Sequence, residues 1–219
     1  SAPVVGISAS PDGAGYWLVA ADGGVFTFGD AAYFGSLGAL HLNAPIVGMA
    51  PTPDGRGYWL VAADGGIFTF GDASFLGSLG SQHLNAPVVG MAAAPSGSGY
   101  WLVASDGGVF TFGSAPFLGS AGGLKLVSPV TGMAATLDGA GYWLVAADGG
   151  IFSYGNADFL GSAGGAPLAE PVVGITPSDD DHGYHLVAKD GGVFAYGNAL
   201  YGGVPGASLT APVVGVAAP

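Results

Sequence analysis

The chain repeats itself every 42 residues, and a repeat of that length admits only a small set of folds. Pro3, Pro45, Pro87, Pro129 and Pro171 stand 42 residues apart, and Pro212 follows after 41. Tyr16, Tyr58, Tyr100, Tyr142 and Tyr184 keep the same step. The units are therefore 3–44, 45–86, 87–128, 129–170 and 171–211 of a single 1–219 domain, and 212–219 opens a further copy. A unit this short cannot cover its own apolar faces, so successive copies must stack.

One copy can be read for all. Pro3-Val4-Val5-Gly6-Ile7 is β-branched and opened by proline, as a strand start is. Ser10-Pro11-Asp12-Gly13 has turn chemistry, and Tyr16-Trp17-Leu18-Val19-Ala20 is a second strand. Asp22-Gly23-Gly24 is a tight hairpin signal before a third strand, Val25-Phe26-Thr27-Phe28, which Gly29-Asp30-Ala31 ends. A short fourth strand is expected around Tyr33-Phe34-Gly35-Ser36, ahead of a loop ending at Leu42-Asn43-Ala44. No stretch has the period of an amphipathic helix.

The expected fold is all-β, a five-bladed β-propeller of four-stranded antiparallel blades. An open β-solenoid is the alternative. Tyr16 and Trp17 point to opposite faces of one strand, yet both are large, and a ring of blades covers both faces. With five places in the ring, residues 3–9 and 212–218 compete for one of them. The loser pairs elsewhere or exchanges between chains, giving a monomer or a strand-exchanged dimer; otherwise the sequence is part of a longer array.

The order Val4-Val5-Gly6, Pro11-Asp12-Gly13, Tyr16-Trp17-Leu18-Val19, Asp22-Gly23, Val25-Phe26-Thr27-Phe28-Gly29-Asp30 resembles a WD-repeat or quinoprotein-type blade without the terminal Trp-Asp pair. More closely, the pattern Gly-Tyr-Trp-Leu-Val-Ala-x-Asp-Gly-Gly-(Val/Ile)-Phe-x-(Phe/Tyr)-Gly resembles a repeat of secreted actinobacterial proteins, often attached to cell-wall or hydrolase domains. That resemblance spans the chain and implies an extracellular protein, but it carries no activity of its own. Five blades of this size also resemble tachylectin-like lectins, at the level of fold.

Charge removes several partners. Three basic residues stand against 15 acidic ones, and binding to nucleic acid or anionic lipid depends on Lys and Arg. No apolar run reaches the roughly 18 residues of a membrane span, so no membrane insertion is expected. Cysteine is absent. Ser1 falls inside the repeat pattern, as in a processed chain, so a missing leader carries no weight.

Catalytic signatures are lacking. Phe34-Gly35-Ser36-Leu37-Gly38 only approaches a nucleophile elbow, and His41, His83, His182 and His185 have no metal-ligand spacing. Asp179-Asp180-Asp181-His182 replaces a Pro-Asp-Gly turn and reads as a solvated turn, with a divalent-cation site as the alternative. No catalytic residue, metal or cofactor is expected; an enzyme with its site in the central channel is the remote option, resting on the symmetry break at Asp179–His185.

The candidate binding residues are Asp22, Asp64, Asp106, Asp148 and Asp190, with Asn43, Asn85, His41 and His83 in the adjoining variable loops. Turn chemistry alone also accounts for the five aspartates, since Asp caps nearby backbone N–H groups. Turns and loops should share one face of the disc. Trp17, Trp59, Trp101 and Trp143 are expected in the inter-blade core rather than as sugar platforms. His185 takes that position in the fifth copy as a buried, hydrogen-bonded histidine, and Leu42, Leu84, Leu126, Leu168 and Leu209 anchor the loops. The functional expectation is a lectin-like module binding extracellular or cell-wall carbohydrate; the alternative is a structural or protein-interaction scaffold beside a secreted enzyme or cell-wall protein.

Overall fold

A computed structural model describes residues 2–200 and 209–218. Among them every regular element is a strand. The first sheet contains β1 (Val4–Ala9), β2 (Gly15–Ala20) and β3 (Val25–Gly29). The second contains β4 (Ile46–Pro51), β5 (Gly57–Ala62) and β6 (Ile67–Gly71), and the third β7 (Val88–Ala93), β8 (Gly99–Ala104) and β9 (Val109–Gly113). The fourth contains β10 (Val130–Ala135), β11 (Gly141–Ala146) and β12 (Ile151–Gly155), and the fifth β13 (Val172–Pro177), β14 (Gly183–Ala188) and β15 (Val193–Gly197). Each sheet is an antiparallel meander in chain order, the simplest route for strands joined by short turns. Among the described residues no helix is long and apolar enough to cross a membrane.

The sheets are three-stranded, not four-stranded as expected. Residues 33–36 run outside any ladder. The reason is where their backbone groups go: the Tyr58 hydroxyl donates to Gly35 O at 2.6 Å and accepts from Phe34 N at 3.2 Å. Gly35 sits at φ 138°, away from strand geometry for a residue with a side chain. The same tyrosine-to-glycine bond recurs at Tyr100, Tyr142 and Tyr184, at 2.5–2.6 Å. The segment therefore clasps the next repeat instead of extending its own sheet.

The tryptophans are core, as expected. Trp17 is 1% exposed and Trp59, Trp101 and Trp143 are fully buried. Each packs on the middle-strand tyrosine of the following repeat, with ring centroids 5.7–6.1 Å apart and tilted. Each Nε1–H also donates to a carbonyl 15 residues on, such as Ala32 O at 2.8 Å from Trp17. A buried aromatic removes about 150–250 Å² from water, worth at most about 4–6 kcal/mol. This contact recurs between successive copies. Leu42, Leu84, Leu126 and Leu168 pack against the clusters as anchors, whereas Leu209 is 41% exposed.

The first strands β1, β4, β7, β10 and β13 lie side by side in that order. Each carries a bulge just before its glycine, as between Val4 and Gly6. Without a side chain there, neighbouring backbones come close: a Cβ on Gly6 would lie 3.7 Å from Gly48 Cα. Gly6, Gly48, Gly90, Gly132, Gly174 and Gly215 line one shared cavity. Residues 3–9 and 212–218 thus do not compete for one place. A Cβ on Gly174 would lie 3.3 Å from Val216 Cγ1, and one on Gly215 3.7 Å from Ile7 Cγ2, so the last segment sits between β13 and β1.

Candidate functional site

The hairpin aspartates do what turn chemistry requires. In all five copies the Oδ1 atom accepts from the N–H two residues on, at 2.9–3.0 Å: Asp22 with Gly24, Asp64 with Gly66, Asp106 with Gly108, Asp148 with Gly150 and Asp190 with Gly192. The middle glycine of each turn is left-handed, with Gly65 at φ 77°, which only a residue without Cβ accepts cheaply. One carboxylate oxygen is thus fixed. Oδ2 of Asp64 makes no hydrogen bond among the described residues.

Two grooves meet at Asp64. One, of about 290 Å³, is formed with Gln82, His83 and Asn85. The other, also about 290 Å³, brings Asp64 together with Asn43, Phe75 and Ser78. Turns and loops therefore do share a face, both within a copy, where His83 and Asn85 adjoin Asp64, and across copies, where Asn43 adjoins the aspartate of the next repeat. His41 is exposed and lines neither groove. Asp190 lines a shallow depression of about 430 Å³ with Glu170, Lys189 and Thr210.

Phe75 was not among the residues the sequence singled out. It belongs to a series at the 42-residue step, and each member points outward: Tyr33 is 59% exposed, Phe75 60%, Phe117 61% and Phe159 63%. An aromatic left in water at four equivalent positions stands out in a chain that buries its tryptophans and four of its middle-strand tyrosines. The signal was present. Tyr33 precedes the clasp residue Phe34, so the two side chains face opposite ways, and only the second has a core to enter.

Asn85, Asp106 and Phe117 repeat the set Asn43, Asp64 and Phe75 at the same spacing. Val127 replaces the asparagine before Asp148 and Phe159, and Ala169 replaces it before Asp190. Two copies of the complete triad are therefore encoded.

At the other ends of the strands lies a second polar cluster, with a structural job. The buried Ser10 hydroxyl donates to Asp12 Oδ1 at 2.7 Å and lies 3.4 Å from Asp30 Oδ1. The Ser10 hydroxyl and the Ala14 N–H hold Asp12 below the usual carboxylate range. The hydrogen bond to Asp12, then desolvation and the neighbouring charge, push Asp30 up. Copies four and five solve the same contact differently: the Asn156 and Asn198 amides donate to Asp138 and Asp180 Oδ2 at 2.7 and 2.6 Å. Asp138 is held low chiefly by the Ala140 N–H and Asp180 chiefly by the Ser178 hydroxyl.

The run at 179–182 is the fifth version of this turn. Asp180 stands where Asp12 does, accepting from Ser178 Oγ and His182 N at 2.8 and 3.1 Å. Asp181 takes the glycine position at φ 60° and accepts from Leu137 N at 2.7 Å, which ties it to the fourth copy. Among the described residues no three His, Asp or Glu side chains cluster as metal ligands would. His185 is half-buried, and its Nε2 lies 2.7 Å from Leu200 O, matching the tryptophan bond of the other copies. A carbonyl partner requires Nε2–H, so this ring nitrogen is a donor.

No protein-family model matches the chain, and no curated protein aligns with it.

Proposed function

We propose that the repeats form a propeller-type ring whose turn-and-loop face binds neutral glycans, with Asn43, Asp64 and Phe75 as the principal contacts. The ring reading is supported by the glycine-lined cavity shared by all six first-strand copies and by the approach of Gly215 to Ile7. The glycan reading rests on one observation: an outward-facing aromatic shares a groove with an anchored carboxylate and an amide. A sugar ring offers a C–H face to lie on Phe75 and hydroxyls to donate to Asp64 Oδ2, while the Asn43 amide both donates and accepts.

A formal charge of −12 disfavours acidic sugars, so the ligand class is neutral. The second triad, Asn85, Asp106 and Phe117, supplies a second contact on the same molecule. Two weak sites engaging one polymer raise apparent affinity by about 10²-fold or more. The resemblance to secreted repeats favours a polymer outside the cell, in a wall or matrix.

The test is a glycan array run beside a Phe75→Ala/Phe117→Ala variant. Both rings are largely exposed, so the variant should melt as the parent does while losing neutral-glycan signal. An array blank at millimolar ligand, or a signal that the variant retains, overturns the proposal. The scaffold reading would then stand, and pull-down should recover a protein partner.

A further inference from the structure

Asp64 is the only residue common to the two grooves that meet beside it. Those grooves differ in character. The one with Asn43 carries two aromatic rings, Phe68 and Phe75, and is bounded by the loop of the preceding copy. The one with Gln82, His83 and Asn85 has no aromatic lining and is bounded by the loop of Asp64's own copy. Each is about 290 Å³, at the lower end of ligand pockets, so each holds one small unit.

The second groove is built for hydroxyls. Gln82 and Asn85 each bring a carbonyl that accepts and an amide NH₂ that donates, and His83 adds two ring nitrogens. A sugar hydroxyl also donates and accepts, whereas an ionised acid group only accepts and would face Asp64. Gln82 is peculiar to this copy. Its position holds Leu40, Leu124 and Ala166 in the other copies of equal length. Residues 39–43 and 81–85 differ only at Ala39/Ser81 and Leu40/Gln82, and of the two in the second copy Gln82 alone lines the groove.

We infer that Asp64 joins two subsites, so the ligand is a neutral glycan chain of at least two units rather than a single sugar. One unit lies on Phe75, and the next is read through its hydroxyls by Gln82, His83 and Asn85. Gln82 sets the preference for the second unit. The inference rests on the glycan reading and deepens it, since that reading requires only the sugar at Phe75. Asp64 serves both units: the Gly66 N–H fixes Oδ1 in advance, which leaves Oδ2 to accept from hydroxyls.

The test uses a Phe117→Ala chain, which keeps one complete triad, and isothermal titration with three neutral pairs. These are glucose and cellobiose, mannose and mannobiose, and N-acetylglucosamine and diacetylchitobiose. In at least one pair the disaccharide should bind about tenfold more tightly than the monosaccharide, as one or two added hydrogen bonds allow. Adding Gln82→Leu, the residue of the first and third copies, should bring that ratio below about threefold. Gln82 is exposed, so the two chains should melt together. No binding in any pair at millimolar ligand overturns the glycan reading and this inference with it. Equal affinity for one and two units, or a ratio that Gln82→Leu leaves intact, overturns this inference alone.

Discussion

Tyr58→Phe tests the clasp between repeats with a control inside the same molecule. The substitution removes one oxygen and leaves the ring, so packing against Trp17 and Phe70 is retained. What is lost is a bond of 2.6 Å to Gly35 O and one of 3.2 Å from Phe34 N, both at a partly buried interface. Burial also lifts the phenol above its ordinary 10.0, so the donor proton stays in place at any working pH. A buried group left without its partner costs about 1–3 kcal/mol, which puts this loss at about 2 kcal/mol. For a chain of this size that lowers the melting temperature by about 4–8 °C. Tyr16→Phe, at the same position of the first copy, where the tyrosine is 39% exposed, removes only a solvated hydroxyl and should shift it by less than about 2 °C. Calorimetry of both variants decides the matter. Equal shifts, or a larger one at Tyr16, would mean that the tyrosine bond does not hold the repeats together.

Three further substitutions have outcomes set by local geometry. Gly113→Ala places a Cβ 2.2 Å from Ser98 O at φ 62°, so it should cost more than about 3 kcal/mol or abolish folding. Gly123→Ala, ten positions on, meets nothing within 4 Å and should stabilise by about 0.4–1 kcal/mol through the unfolded chain; paired thermal melts check both. Asp30→Asn should raise the melting temperature at neutral pH, because it installs the amide that Asn156 and Asn198 already provide. Asp30 is pushed above 3.8, so its native contribution is complete below that pH and is lost as pH rises through the folded value. The gain from Asn should therefore appear above that value and vanish below pH 3.8; a gain independent of pH would refute the account.

Much of this architecture was legible because the 42-residue step averages five readings of the same unit. The three ladder strands, the Asp-Gly-Gly hairpin and the tryptophan core all follow from residue type and spacing. Residues 33–36 misled for a physical reason. Tyr33-Phe34 alternates outward and inward as strand residues do, but the backbone groups beside it are taken by a side-chain hydroxyl 23–24 residues away. A period-two pattern reports which way side chains point, not what the main chain bonds to. For the same reason the exposed series beginning at Tyr33 was missed. The pairing of Asn43 with Asp64 was likewise invisible, since it depends on which neighbour each loop leans over. The place taken by 212–218 is set by how the copies pack on one another, and no single repeat carries that information.

The tyrosine clasp also has a direction. In the second to fifth repeats, Tyr58, Tyr100, Tyr142 and Tyr184 each donate the hydroxyl to a carbonyl of the repeat before. During synthesis every new unit therefore emerges beside an acceptor that has already been made, and the stack can grow outward as the ribosome proceeds. Trimming whole units from the carboxyl end leaves every remaining clasp intact, whereas trimming the first unit removes the acceptor of Tyr58.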